Sequence, residues 1–242
     1  CIVLDDFFPV NIPLWSGGKL TLAFQKYEGP QNLWVCLIEK AYAKLHGTYQ
    51  AIVGGFEDIA MADLTGGIPG RINDLSKDAS IIWKKILTMH EDGNLLGAGS
   101  AAGKDTEHTD SGIVKGHAYS ILACKEIDGN RLMQLRNPWA KFEWKGRWSD
   151  GSSDWTPRLK KMVNYVDKDD GCFWMAFEDF SKNFRNIYMC RLTSSMNLKE
   201  APGRWSASEH TAGGAQPRDS FKNPQYSLVC EKSCKVTVLL SQ

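Results

Sequence analysis

The chain has 242 residues, 43% of them hydrophobic and 24% charged, and a formal net charge of +1. This is ordinary globular composition, and it excludes the concentrated basic footprint of a nucleic-acid binder; Lys160-Lys161 reads as a solvated helix face. No apolar run approaches the roughly 20 residues needed to cross a bilayer, and no segment reads as a secretory leader.

The elements follow in order. "CIVLDDFFPV" and "KLTLAFQ" are strand-like runs separated by the turn signal "WSGG". An amphipathic helix is predicted over Asn32 to Leu45, with Leu33, Leu37, Ile38, Ala41, Tyr42 and Leu45 on one face and Gly47 at its stop. Gly54-Gly55 and Gly66-Gly67 punctuate the chain and suggest a boundary. A second helix runs from Ala79 to His90, with Ile82, Ile86 and Met89 in phase. From Leu95 a weak strand passes into a small, polar loop, and a hairpin of residues 117 to 137 follows. "GCFWMAFEDFSKNF" supplies a strand and a short helix near Phe177 to Phe184, and "IYMCRLT" is another strand. Ser194 to Pro217 has linker texture, and "YSLVCEKSCKVTVLLSQ" reads as two alternating strands. Two strands do not make a stable domain, so the tail is expected to open an all-β module. The start at Cys1, directly in a strand-like run, has the look of a fragment.

Seven cysteines lie scattered without framework spacing. Cys230 and Cys234 lack the second pair or histidine cluster of a zinc site. All seven are expected to be reduced thiols, as in a cytoplasmic, intracellular protein.

The hairpin holds the most informative residues. A two-residue Asp128-Gly129 turn sets His117 opposite Ala140 and Ser120 opposite Asn137. Asn137 then lies about 10 Å along its strand from the point facing His117, a gap that a bulge or longer turn would close. An imidazole held at one nitrogen by a side-chain amide keeps one tautomer and one orientation. That is the base-plus-orienter arrangement that activates a thiol or hydroxyl. Pro138 fixes the chain after Asn137, and Trp139 is placed to cover the pair from water.

"KGHAYS", "RNPW", "EWKGRWSD" and "GCFWMAFEDF" together resemble the calpain family of papain-like cysteine proteases. "VLDDFFP", "LWVCLIEKAYAKLHGTYQAIVGG" and "FED…LTGG" fit the family in the same order, and "GRWSASEHTAGGAQPRDSFKNPQYSL" resembles the start of its β-sandwich. The resemblance implies that His117 is the general base, Asn137 its orienter and Trp139 the shielding aromatic. It also makes Gly55 and Gly116 glycines of the substrate cleft, where a missing side chain lets an extended peptide approach the backbone. The family's nucleophilic cysteine lies in a "GDCW"-type motif, at a helix N-terminus that lowers its pKa. This chain has no such motif; Cys1 precedes a strand-like run and Cys36 sits inside a helix.

The resemblance also implies calcium. Its positions in the His/Asn part are Glu143, Asp150 and Asp170 with the backbone carbonyl of Lys168. Two positions depart from the family's acidic ligands: Cys172 and Asn32. A thiol is a poor ligand for a hard cation, and calcium wants six to eight oxygens, so weakened affinity is expected.

The expected fold class is α+β: a partial papain-like calpain protease core, mostly an antiparallel β-subdomain with short helices, followed by the start of a β-sandwich. Residues 1–53 would end the nucleophile subdomain, 54–194 form the His/Asn subdomain, and 195–242 form the linker and truncated sandwich. The expected function is intracellular limited proteolysis with a Cys-His-Asn triad, the cysteine coming from a missing upstream subdomain. Expected partners are protein or peptide substrates, that subdomain and a downstream β-sandwich, with no nucleic acid and no transmembrane segment. One rival is a pseudoprotease that binds peptides or partners without cutting. Another is a carbohydrate site lined by Trp139, Trp144, Trp148, Trp155 and Trp174, with Glu143 and Asp150 as a glycosidase pair.

Overall fold

The computed structural model describes residues 2–11, 21–24, 32–193, 196–197, 199–204 and 223–240. Two compact units form, Cys1–Ala60 and Met61–Gln242.

In the first unit, β1 (Val10–Asn11) pairs antiparallel with β2 (Thr21–Leu22). Helix α1 spans Leu33–Leu45, close to its expected bounds. Its buried residues are Cys36 and Ala43, while Ile38 and Leu45 of the expected apolar face are exposed. The N-terminal run is tied to the opposite flank of this helix, where Lys40 Nζ pairs with the Asp5 carboxylate and Lys44 Nζ donates to the Val3 carbonyl at 2.7 Å. A 3-10 turn, Tyr49–Ile52, follows, and the unit boundary falls inside α2 (Glu57–Thr65).

The second unit is built on β3 (Ile68–Ile72), β4 (Leu95–Ser100), β5 (Ala118–Ile127), β6 (Asn130–Arg136), β7 (Cys172–Ala176) and β8 (Phe184–Arg191). They form one antiparallel sheet in the order β3-β8-β4-β5-β6-β7. Three helices accompany it: α3 (Ala79–Glu91), α4 (Pro157–Val163) and α5 (Phe177–Asn183).

Both faces of the sheet are covered, so its strands carry apolar residues on alternate and adjacent positions. One core gathers Ile82, Trp83, Ile86 and Met89 of α3 with Tyr119, Ile121, Met133, Leu135, Phe173 and Met175 of the strands. The other packs Leu159 and Val163 of α4 with Trp148, Trp155, Leu132 and Trp174. Helix α3 starts where Asp78 Oδ1 accepts from Ser80 N and Ile81 N at 2.9 and 3.2 Å, an N-cap that satisfies two orphan donors. Helix α4 is capped by Thr156 and carries proline in its first turn, where no amide hydrogen is needed.

The hairpin turn is Asp128-Gly129, with φ of 51° and 76° at the two residues, the signature of a type I′ turn that matches strand twist. The register expected from it holds from Ile127↔Asn130 to Ala123↔Gln134 and then slips to Ile121↔Leu135 and Ser120↔Arg136. Leu122 is the extra residue of a β-bulge.

The expected pair of strands from Tyr226 onward does not form among residues 223–240. Val229, Val236, Val238 and Leu240 are exposed there, and a lone ribbon buries too little to hold itself together. Most of the expected linker lies outside the described residues. No described helix is long and apolar enough to cross a membrane.

Candidate active site

The bulge decides how the two ends of the hairpin meet. Side chains alternate across a strand, so a slip of one residue moves every later side chain to the other face. In the register read from the turn, Asn137 faces Ser120, and His117, three residues away, points to the opposite side. After the slip, continuing the ladder sets Asn137 against Tyr119, and His117, two residues away, shares its face. His117 Nε2 and Asn137 Oδ1 are 3.0 Å apart.

The orientation of the asparagine amide follows from its other contacts. Asn137 Nδ2 donates to the carbonyls of Lys141 and Phe142. Its Oδ1 also accepts from Trp139 N at 3.1 Å, and its backbone N–H donates to the Gly171 carbonyl at 2.8 Å. Asn137 is fully enclosed, with 0% of its surface exposed. With both amide hydrogens directed at carbonyls, Oδ1 can only accept, so His117 Nε2 carries the hydrogen. Nδ1 is then the nitrogen left to take up a proton.

The chain reaches this geometry through a tight return after Pro138. Ala140 N donates to the Asn137 carbonyl at 2.9 Å, and Ala140 and Phe142 have φ of 54° and 59°. That return brings the Lys141 and Phe142 carbonyls back to the amide. The sequence signalled it only through "NPW", and the two carbonyl acceptors had no sequence signal. Gly171 completes the enclosure: at φ +84° its absent Cβ would lie 2.6 Å from the Asn137 carbonyl oxygen.

Trp139, 45% exposed, lies with its ring centroid 4.2 Å from that of His117. Tyr119 meets the imidazole edge-on at 5.3 Å from the other direction. The enclosure lowers the His117 pKa below its ordinary 6.5; burial is the main cause, partly offset by the Asn137 contact and by Asp105. A neutral imidazole with Nδ1 free is the form that can accept a proton.

Gly116 has φ +55°, and a Cβ there would come within 2.3 Å of the Gly103 carbonyl oxygen. Its bare backbone is therefore required by the chain's own packing. Gly55 belongs to the first unit and has open space around its Cβ position.

The four positions that the resemblance would give to calcium lie on two loops joined by hydrogen bonds. Glu143 Oε1 accepts from Gly171 N at 2.7 Å and Asp170 N at 3.1 Å. Asp150 Oδ2 accepts from Lys168 N at 3.1 Å, while its Oδ1 is buried with no hydrogen-bond partner. Burial raises the pKa of both Glu143 and Asp150, and neighbouring carboxylates add to the shift: Asp150 for the first, Asp167 and Asp170 for the second. Asp170 accepts from Cys172 N at 3.0 Å, stands 3.7 Å from Lys168 Nζ, and has its pKa lowered by hydrogen bonds from Cys172. The Cys172 thiol is pushed up to about 11, first by burial. Asn32 precedes α1 in the other unit. Among the described residues, no three His, Cys, Asp or Glu side chains are gathered to hold a metal ion.

The tryptophans proposed for a sugar site are mostly core residues. Trp144, Trp148, Trp155 and Trp174 are buried, and Trp155 Nε1 donates to the carbonyls of Trp148 and Ser149. Cys124, Cys172, Cys190, Cys230 and Cys234 are free thiols.

An amide-oriented, half-buried imidazole at a sheet end has the geometry that a general base needs. The family described as "Calpain family cysteine protease" matches residues 1–191, and the chain belongs to the calpain family. It is 44% identical over 236 residues to the calpain-type cysteine protease ADL1 of Oryza sativa subsp. japonica, covering 94% of this chain and 10% of that protein. The calpain-type cysteine protease DEK1 of Zea mays is 43% identical over 236 residues, with 94% of this chain and 11% of the relative covered. Calpain-14 of Homo sapiens is 35% identical over 246 residues, with 94% and 34% covered. The chain thus spans about a tenth of these plant relatives and about a third of the human one.

Proposed function

We propose that this chain supplies the histidine and asparagine of a Cys-His-Asn triad in a calpain-type endopeptidase that performs limited proteolysis inside the cell. The observation that carries this reading is the 3.0 Å contact between His117 Nε2 and Asn137 Oδ1. A thiolate from outside these 242 residues attacks the peptide carbonyl. His117 Nδ1 accepts the thiol proton and returns it to the leaving amine, and water then hydrolyses the acyl-enzyme. Asn137 holds the imidazole throughout, and Trp139 keeps water from their hydrogen bond. The substrates are proteins or peptides read mainly through their main chain.

The thiol is unlike those described here. Burial pushes Cys36 and Cys172 upward and raises Cys124 to about 12, so each holds its proton at neutral pH. On this reading the 242 residues alone do not cleave peptides. The division into residues 1–53, 54–194 and 195–242 is the domain order we propose, with a sandwich continuing from the last. Free thiols fit a reducing compartment.

We assign calcium to Glu143, Asp150, Asp170 and the Lys168 carbonyl. The support is the buried Asp150 Oδ1, which has no hydrogen-bond partner, since a hard cation takes oxygen ligands. Calcium would supply positive charge beside these carboxyls. Cys172 adds no hard oxygen donor.

The test is the rate at which an electrophilic epoxide alkylates the nucleophile in the protein that joins this chain to its thiol. Replacing His117→Ala should slow alkylation by about a hundredfold. Equal rates would show that His117 does not activate the thiol and would favour a peptide-binding pseudoprotease.

A further inference from the structure

We infer that Ser100 is a positioning residue for the catalytic base, fixing the backbone of His117 so that its ring meets Asn137. The inference rests on the reading of His117 as that base. Strands β4 and β5 pair through Gly97↔Ser120, Ala98↔Tyr119 and Gly99↔Ala118. Continuing by one step sets Ser100 against His117, and Ser100 N donates to the His117 carbonyl at 3.0 Å. In such a hydrogen-bonded antiparallel pair the second bond runs back from His117 N to the Ser100 carbonyl.

The ladder is disturbed at this step. On its other edge β4 slips against β8, from Gly99↔Asn186 to Ser100↔Phe184, and a slip of this kind bends and twists the strand that carries it. The His117 N–H is received by Ser100 Oγ at 2.9 Å, and the hydroxyl hydrogen goes to the His117 carbonyl at 3.1 Å. The side chain stands in for the ladder carbonyl, and three hydrogen bonds join this single pair of residues. Ser100 is 6% exposed, so no bulk water is at hand to replace its hydroxyl.

All three bonds fall on the residue whose ring must find Asn137. Trp139 and Tyr119 flank the imidazole, and the chain is held on either side, where Gly116 N donates to the Ala101 carbonyl at 2.7 Å and Ala118 pairs with Gly99. The serine hydroxyl ties down the residue between them.

The test uses the 242-residue chain with nitrogen-15-labelled histidine. It compares the wild type with Ser100→Ala and Ser100→Thr by the exchange of the His117 Nε2 hydrogen with water and by the His117 titration midpoint. Ser100→Ala should speed exchange by about tenfold and displace the midpoint, and Ser100→Thr should restore both. In the protein that carries the nucleophile, the same alanine change should lower kcat with KM unchanged. Exchange equal to wild type in Ser100→Ala, or a change that threonine does not restore, would overturn the inference. Cleavage that survives His117→Ala would instead dismiss the reading of His117, leaving the exchange comparison intact as a separate result.

Discussion

His117 owes its usefulness to what is done to its second nitrogen. The amide of Asn137 has one orientation because the Lys141 and Phe142 carbonyls take its hydrogens. That orientation fixes the imidazole tautomer and leaves Nδ1 for chemistry. Burial pulls the pKa below 6.5 and the Asn137 contact partly restores it, so removing the amide should lower it further. In a pH titration followed by NMR, the His117 midpoint should lie below 6.5 and fall again in Asn137→Ala; an unchanged midpoint would mean that the contact does not form in solution. Stability carries the same sign. The folded imidazole releases its proton more readily than the unfolded one, so its contribution is fully present above about pH 6.5 and is lost as pH falls through 6.5 towards the folded value. These residues were legible because "GHAYS" and "NPW" mark them. Ser100, Lys141 and Phe142 were not, since they act through a hydroxyl on a backbone or through carbonyls that any residue carries.

Among the elements, the hairpin shows where local chemistry stops informing. Asp128-Gly129 announces its turn and its first five pairs, and α3 announces itself through the period of Ile82, Ile86 and Met89. The bulge at Leu122 has no such signal. It lies in the apolar run "SILAC", and the core that Tyr119, Ile121 and Cys124 share with α3 favours it. Inserting one alanine between Ser120 and Ile121 should set Ser120 opposite Asn137, turn Tyr119 out of the core and separate His117 from Asn137. Chemical denaturation should then show a loss of about 2 kcal/mol or more. An insertion variant of wild-type stability would mean that the register of β5 against β6 is not what sets the face of His117. In helix α1 the expected apolar face is partly buried at Leu33, Leu37, Ala41 and Tyr42, with Ile38 and Leu45 exposed and Cys36 and Ala43 buried beside it.

For the molecule as a whole, the six-stranded antiparallel sheet buried on both faces explains why so many tryptophans and phenylalanines are needed, and why they are not a sugar platform. It also places the His117–Asn137 contact and the acidic loops on neighbouring stretches of chain, since the Asn137–Glu143 return serves both. The α+β class and the family were legible from the ordered motifs. The sandwich strands were not, because alternation supplies a pattern but no second layer. The measurement that bears most directly on the central claim is cleavage of an unstructured protein by the protein that joins this chain to its nucleophile, titrated with calcium and run beside His117→Ala. The account predicts cleavage that rises with calcium and falls by about a hundredfold or more in His117→Ala. Cleavage that persists undiminished in His117→Ala would contradict it.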